Sequence, residues 1–233
     1  MPKVLIVMDA DDEGAAVGAR MGAAMGVAIA ISSPSTVAEI CLISELNSAA
    51  IASTAATIYP LTLNLPDALV FPSQNIYRAC RDVSAMRDRA GKQFGAIAGV
   101  GNFWLPVVWT AKGPLYGEVI GLEAQKLSAQ PNYSMPVNLS DVWRQQLYEL
   151  AFQLLKSLSA PPATYLMQFG FQGKEICFDR LWPFPAAPAI ASVGVQVPDL
   201  FLCHWYCLTN MPIYDLQISL PAIALGNQQL SLS

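Results

Sequence analysis

The sequence predicts an α/β fold, and three observations near its start carry that reading. Residues 3–8, Lys-Val-Leu-Ile-Val-Met, form an apolar run of strand length. An Ala-rich stretch reaching about residue 26 has helical character, and a second apolar run occupies residues 27–32. A strand, a helix and a strand in such short compass favour a parallel pair joined by a crossover.

The elements follow in order. Residues 9–14 form the turn into the first helix, residues 36–56 read as a second helix, and residues 67–71 as a short buried strand halted at Pro72-Ser73. This part, residues 1–75, reads as a Rossmann-like lobe. Residues 76–92 carry Arg, Asp and Ala at helical spacing, and the Gly- and Ala-rich residues 95–101 suit a loop, so 76–101 is a connecting helix and loop. Residues 102–233 form an α+β lobe. In it, residues 104–109 are a strand, and residues 128–138, with two prolines and two asparagines, a surface linker. Ser140 caps a helix over 141–158 whose apolar face holds Trp143, Leu147, Leu150, Ala151, Leu154, Leu155 and Leu158. Residues 165–171 and 175–178 form a hairpin across Gln172-Gly173-Lys174, and a helix over 198–210 ends before Pro212.

Composition narrows the function classes. Among the 233 residues 54% are hydrophobic and only 13% charged, about half the usual charged share of about 25%. That excludes disorder and leaves little polar surface, so self-association into a homo-oligomer, or docking of another protein, is expected. A formal charge of −4, with 13 Lys and Arg scattered singly, gives no basic stripe for nucleic acid. The longest apolar run, residues 21–32, falls short of the roughly 20 residues that span a bilayer. Lys3 precedes only a short apolar run before Asp9, which is no secretory signal. The expectation is a cytoplasmic protein without membrane contact. Five cysteines, an odd number in a chain of this size, read as reduced and buried.

The most informative motif is Asp179-Arg180-Leu181-Trp182-Pro183-Phe184-Pro185, followed by Phe201, His204 and Pro212. In one ungapped register, Pro183, Pro185, Phe201, His204 and Pro212 resemble the Pro-x-Pro loop, Phe-x-x-His helix and following Pro of carboxyaminoimidazole ribonucleotide synthase, an ATP-grasp enzyme of purine synthesis. The late Leu-Pro-Ala-Ile-Ala-Leu-Gly of residues 220–226 and the Pro-Ser at 72–73 fit the same family. The helix after Pro72-Ser73 matches the family in two registers, one through Arg78 and Asp82, the other through Asp88, Arg89 and Lys92. The resemblance implies an ATP-grasp-like C-terminal lobe with a reduced central region, because too few residues separate this helix from Asp141 for the usual ATP-clamping lobe.

The resemblance also implies where ATP and magnesium would lie, and there the residue types change. Hard oxygen ligands hold magnesium between ATP phosphates. The family's loop Glu falls on Arg180, its Asn on Ala187 and its hairpin Glu most nearly on Gln168, while Lys112 echoes a strand lysine that holds ATP phosphate. Between the prolines Phe184 replaces an Arg, and Ala186 replaces the His after them. Lys112, Gln168, Asp179, Arg180 and Ala187 are therefore vestigial positions. The sequence predicts a degenerate, non-catalytic homologue that binds a partner or small ligand, with no cofactor. The alternative is a divergent ATP-dependent ligase with ATP and Mg, using acids such as Asp179 or Glu175.

Two other patterns compete. Met8-Asp9-Ala10-Asp11-Asp12 after a strand resembles the Asp-x-Asp of haloacid-dehalogenase-type phosphatases, although Glu13 stands where that family has Thr or Val. Acidic residues entering a helix N-terminus explain the same letters through the helix dipole. Cys203, His204 and Cys207, with Cys177 as a fourth ligand, would suit a soft metal, against the simpler reading of small buried hydrophobes. His204 is the only histidine, which excludes any mechanism needing two.

Overall fold

The computed structural model describes residues 2–9, 15–46, 57–123 and 131–219. Strand β1 (Lys3–Met8) pairs in parallel with β2 (Val37–Leu42) and β3 (Thr57–Pro60), in the order β2-β1-β3, and helix α1 (Ala15–Ser32) makes the first crossover. The parallel opening is as expected, but the partner strand is not residues 27–32. Those residues continue α1, where Met21, Met25, Ala28 and Ile29 are buried at helical spacing. The strand role passes to residues 37–42, read above as the start of a helix; residues 47–56 of that helix lie outside the described residues. A short apolar run carries no periodicity that separates strand from buried helix, and sheet pairing decided the matter.

Residues 67–71 form a turn rather than a strand: Leu69 N–H donates to Pro66 O at 3.0 Å. Leu69 and Phe71 are buried as anticipated. The single helix expected over 76–92 is two, α2 (Gln74–Arg81) and α3 (Val83–Phe94). Asp82 breaks them with non-helical dihedrals, and its carboxylate caps α3 by accepting from Ala85 N–H. Gly95, at φ 70°, ends α3 in the left-handed conformation that favours glycine.

A second sheet contains β4 (Ile97–Ala98), β5 (Phe103–Thr110), β6 (Gly113–Tyr116), β7 (Val119–Leu122), β8 (Tyr133–Val137), β9 (Ala163–Gln172) and β10 (Glu175–Trp182). Its order is β4-β10-β9-β5-β7-β8, with β6 on β5. Strand β8 corrects the linker reading of residues 128–138. It lies at the sheet edge, where Pro136 interrupts no central ladder, and Met135 points inward. Helix α4 (Asp141–Ser157) buries Leu147, Leu150, Ala151, Leu154 and Leu155. Ser140 holds its N-cap position without a side-chain bond. The hairpin turns at Gly173-Lys174, since Gln172 pairs with Glu175 and Gly173 takes φ 63°. Helix α5 (Leu200–Leu208) is capped by Asp199, whose carboxylate accepts from Phe201 and Leu202 N–H at 2.9 Å. Strands β11 (Gln196–Val197) and β12 (Gln217–Ile218) form a small ribbon.

The two sheets meet through α1, α2 and α5. Trp205 Nε1–H donates to Ser33 Oγ at 3.2 Å and packs edge-on against Tyr59. Tyr77 of α2 donates its hydroxyl to Pro60 O at 2.6 Å and stacks on Phe184. In α5, His204 is buried and its Nδ1 accepts from Thr164 N–H at 3.1 Å, which fixes the helix on β9.

Around Gly101 the packing leaves no room for a side chain. A Cβ there would meet the backbone C and O of Phe169 at 1.9 Å, and one on Gly170 would meet Val100 O at 2.7 Å. These atoms belong to a paired sheet and have no flexible end to give way. Gly101→Ala should therefore lower unfolding stability by about 3 kcal/mol, read from urea denaturation, because overpacking against backbone forces the sheet to shift.

Burial pushes the His204 imidazole down from 6.5 to about 3. Its folded pKa lies below its unfolded one, so the unfolded chain binds the extra proton in between. Stability from this group is complete above 6.5 and lost as pH falls toward 3. Urea midpoints should fall between about pH 6.5 and about pH 4, and a His204→Asn variant, which keeps an acceptor for Thr164, should flatten that slope.

Candidate active cleft

The site grows from a bulge in β10. Its pairing with β9 shifts between Phe178 and Arg180, so Asp179 is the extra residue. A bulge re-aims the side chains around it. Asp179 turns inside, 1% exposed, and its Oδ1 accepts from Arg87 at 2.6 Å while Oδ2 accepts from Gly101 N–H at 3.0 Å. Arg87 Nε–H also donates to Asp179 O at 2.9 Å, completing a clamp between α3 and β10.

On the other side of the bulge the register sets Trp104 of β5 opposite Gln168 of β9, and Gln168 opposite Arg180 of β10. Directly paired residues of an antiparallel sheet share a face, so these three form one row. The row is fixed by its own bonds: Trp182 Nε1–H donates to Gln168 Oε1 at 3.2 Å, and Gln168 Nε2–H donates to Gly101 O at 2.6 Å. The Arg180 guanidinium lies 5.5 Å over the Trp182 ring, a cation on the electron-rich face.

The row forms one wall of a cleft of about 450 Å³ between the two sheets. The opposite wall comes from the C-terminal end of β1 and the segment after β3, with Met8, Asp9 and Thr62. Ligand crevices of parallel sheets lie at such strand ends. Asp9 Oδ1 accepts from Thr62 Oγ1–H at 2.7 Å and from Asn64 Nδ2–H at 3.1 Å. Trp104, Tyr133 and Phe184 add aromatic surface. Trp104 Nε1–H is buried and meets no acceptor among the described residues.

Of the residues singled out from the sequence, Gln168, Arg180 and Ala187 line this cleft together. Asp179 lies behind the wall. Lys112 is elsewhere, exposed at the turn joining β5 to β6, its N–H bonded to Thr110 Oγ1. Pro183 and Pro185 carry the chain from β10 into the short turn Ala187–Ser192; Phe201 and His204 are buried in α5; Pro212 is exposed beyond it. The partners Arg78, Asp82, Asp88, Arg89 and Lys92 stay on α2 and α3, none of them on the cleft wall. Residues 10–14 of the phosphatase-like pattern and residues 220–226 lie outside the described residues, while Asp9 faces the cleft. The Cys-His cluster does not assemble: Cys203 Sγ faces Pro198 O, His204 Nδ1 is occupied by Thr164, and Cys177 sits beside Gln172. Among the described residues no three His, Cys, Asp or Glu converge on a metal position.

Residues that the sequence reading missed are Thr62, Asn64 and Tyr133. Thr62 and Asn64 follow β3, a strand that the sequence reading did not assign, and Tyr133 was hidden by the linker assignment.

This wall offers magnesium no open carboxylate among the described residues. Gln168 spends its amide on Trp182 and Gly101, Asp179 on Arg87 and Gly101, and Arg180 brings a positive charge to the centre. Glu175 is exposed at the far end of the hairpin. Asp179 acts as a structural acid, so Asp179→Ala should cost about 3–5 kcal/mol in urea unfolding, because Arg87 and Gly101 N–H lose their buried partner together.

No family model and no curated protein sequence matches the chain. Solved structures do. Glycinamide-RNase-transformylase T from Mycobacterium tuberculosis superposes with a TM-score of 0.69 at 14% identity, over 93% of this chain and 81% of that one. N5-carboxyaminoimidazole ribonucleotide synthetase from Thermus thermophilus gives 0.70 at 11% identity, over 91% and 80%. The N5-carboxyaminoimidazole synthase of Aspergillus clavatus, in complex with ADP and 5-aminoimidazole ribonucleotide, gives 0.64 at 10%, over 91% and 78%. No helix among the described residues is long and apolar enough to cross a membrane. The chain shares the mixed α/β fold of these structures.

Proposed function

We propose that the protein is a non-catalytic relative of the ATP-grasp ligases that binds a small planar anion in the cleft without magnesium. The observation that carries this reading is Arg180, at the middle of the wall where the resemblance places an acidic metal ligand. Its Nε is turned toward Asp179 at 3.4 Å. Its terminal nitrogens have no protein acceptor among the described residues, which leaves them for a carboxylate or phosphate. The stacked Trp182 with Trp104, Tyr133 and Phe184 suits a flat ring, and Asp9 on the facing wall accepts from a ring amino or hydroxyl group. A nucleotide-like ligand joins these features, and one of the structural neighbours is described with such a molecule, 5-aminoimidazole ribonucleotide. Ligation chemistry is lost because charge developing between two phosphates meets one fixed cation in place of a metal held by carboxylates.

Calorimetry with AMP tests the reading. AMP should bind equally in EDTA and in magnesium, and Arg180→Ala should weaken it at least about tenfold, or about 1.4 kcal/mol. Micromolar ATP binding that depends on magnesium, or bicarbonate-dependent ATP hydrolysis, would overturn it.

A further inference from the structure

A second cavity, of about 290 Å³, opens between β3, the start of α2, the start of β9 and the C-terminal half of α5. It shares no lining residue with the cleft. Phe71, Tyr77, Pro161, Pro183 and Leu208 give it an apolar wall, and His204 contributes to its lining. Among the described residues no Lys, Arg, Asp or Glu faces it.

His204 supplies the chemistry. Thr164 N–H can only donate, so Nδ1 must accept, and the neutral ring's proton sits on Nε2. This Nε2–H meets no acceptor among the described residues; His204 is 2% exposed and its Nε2 atom keeps some contact with solvent. The other deep polar groups are already committed: Tyr77 donates to Pro60 O and Tyr165 to Pro161 O, at 2.6 and 2.7 Å. Cys207 is held as the neutral thiol, its pKa pushed up to about 12 by burial. Ser73, at the α2 N-cap, makes no side-chain capping bond and stands on the lining.

We propose that this cavity is a binding site for a small uncharged aromatic molecule whose carbonyl-type acceptor receives the His204 Nε2–H. An ionic ligand would find no counter-charge here, and a volume at the small end of the usual ligand range of about 300–1,000 Å³ limits the occupant to one or two rings.

Because His204 is the only histidine, the intact protein labelled with nitrogen-15 histidine gives one imidazole signal. Benzamide is the probe and toluene, with a similar ring and no acceptor, the comparator. Benzamide should shift the Nε2 proton resonance saturably and toluene should not. Ser73→Trp, which fills the lining without removing a bond, should weaken benzamide binding by about tenfold or more, and Ser73→Phe serves where the larger ring disturbs folding. Arg180→Ala should leave the shift unchanged, which separates this site from the cleft. A resonance that benzamide leaves unmoved to its solubility limit, as when water alone satisfies the donor, overturns the proposal; so does an equal shift in both Ser73 variants.

Discussion

The buried carboxylate of Asp179 is the constraint on which the rest of the site depends. It is the extra residue of the β10 bulge, and it ties Arg87 of α3 and the backbone of Gly101 to the sheet. A nearly inaccessible negative charge persists only when paired and hydrogen-bonded. Gly101 is drawn so close to Phe169 that only a hydrogen fits there. Its carbonyl then receives the Gln168 amide, which in turn holds Trp182, so one buried acid sets the whole row of the cleft wall.

The anion site proposed at that row differs from a metal site in its electrostatics. Metal-dependent phosphoryl chemistry needs carboxylates whose oxygens are open to the ligand. Here the acid nearest the wall is turned inward and neutralised, and the residue turned outward is Arg180. The bulge makes both outcomes at once, since it rotates adjacent residues of β10 to different environments. Arg180 is further held by the Trp182 ring, which favours a fixed cation over a mobile one.

Much of the second sheet was legible because its elements carry strong local signals. The apolar stripe of α4 and the turn at Gln172-Gly173-Lys174 each act within a few residues. The first sheet was harder. Residues 27–32 and 37–42 are both short and apolar, and which is helix depends on Met21, Met25 and Ile29 meeting a sheet that lies elsewhere in the chain. Tyr133-Ser-Met-Pro-Val looks like a linker by composition and becomes a strand only because an edge tolerates its proline. The Pro-x-Pro motif pointed to the fold and to Gln168, Arg180 and Ala187, which the structure gathers in one cleft. It pointed to Lys112 as well, which stands apart at a hairpin tip.

The sequence by itself determined the α/β class, the opening crossover, and the hairpin with its long helix. These follow from periodicity, turn chemistry and residue type, which are local properties of the chain. Tertiary structure alone decided that Asp179 is a structural acid, that Asp9 and Arg180 line one cleft, and that His204 lines a second cavity. Each of those depends on partners far away in sequence, such as Arg87, Thr62 and Thr164, and on a one-residue bulge that no local pattern announces.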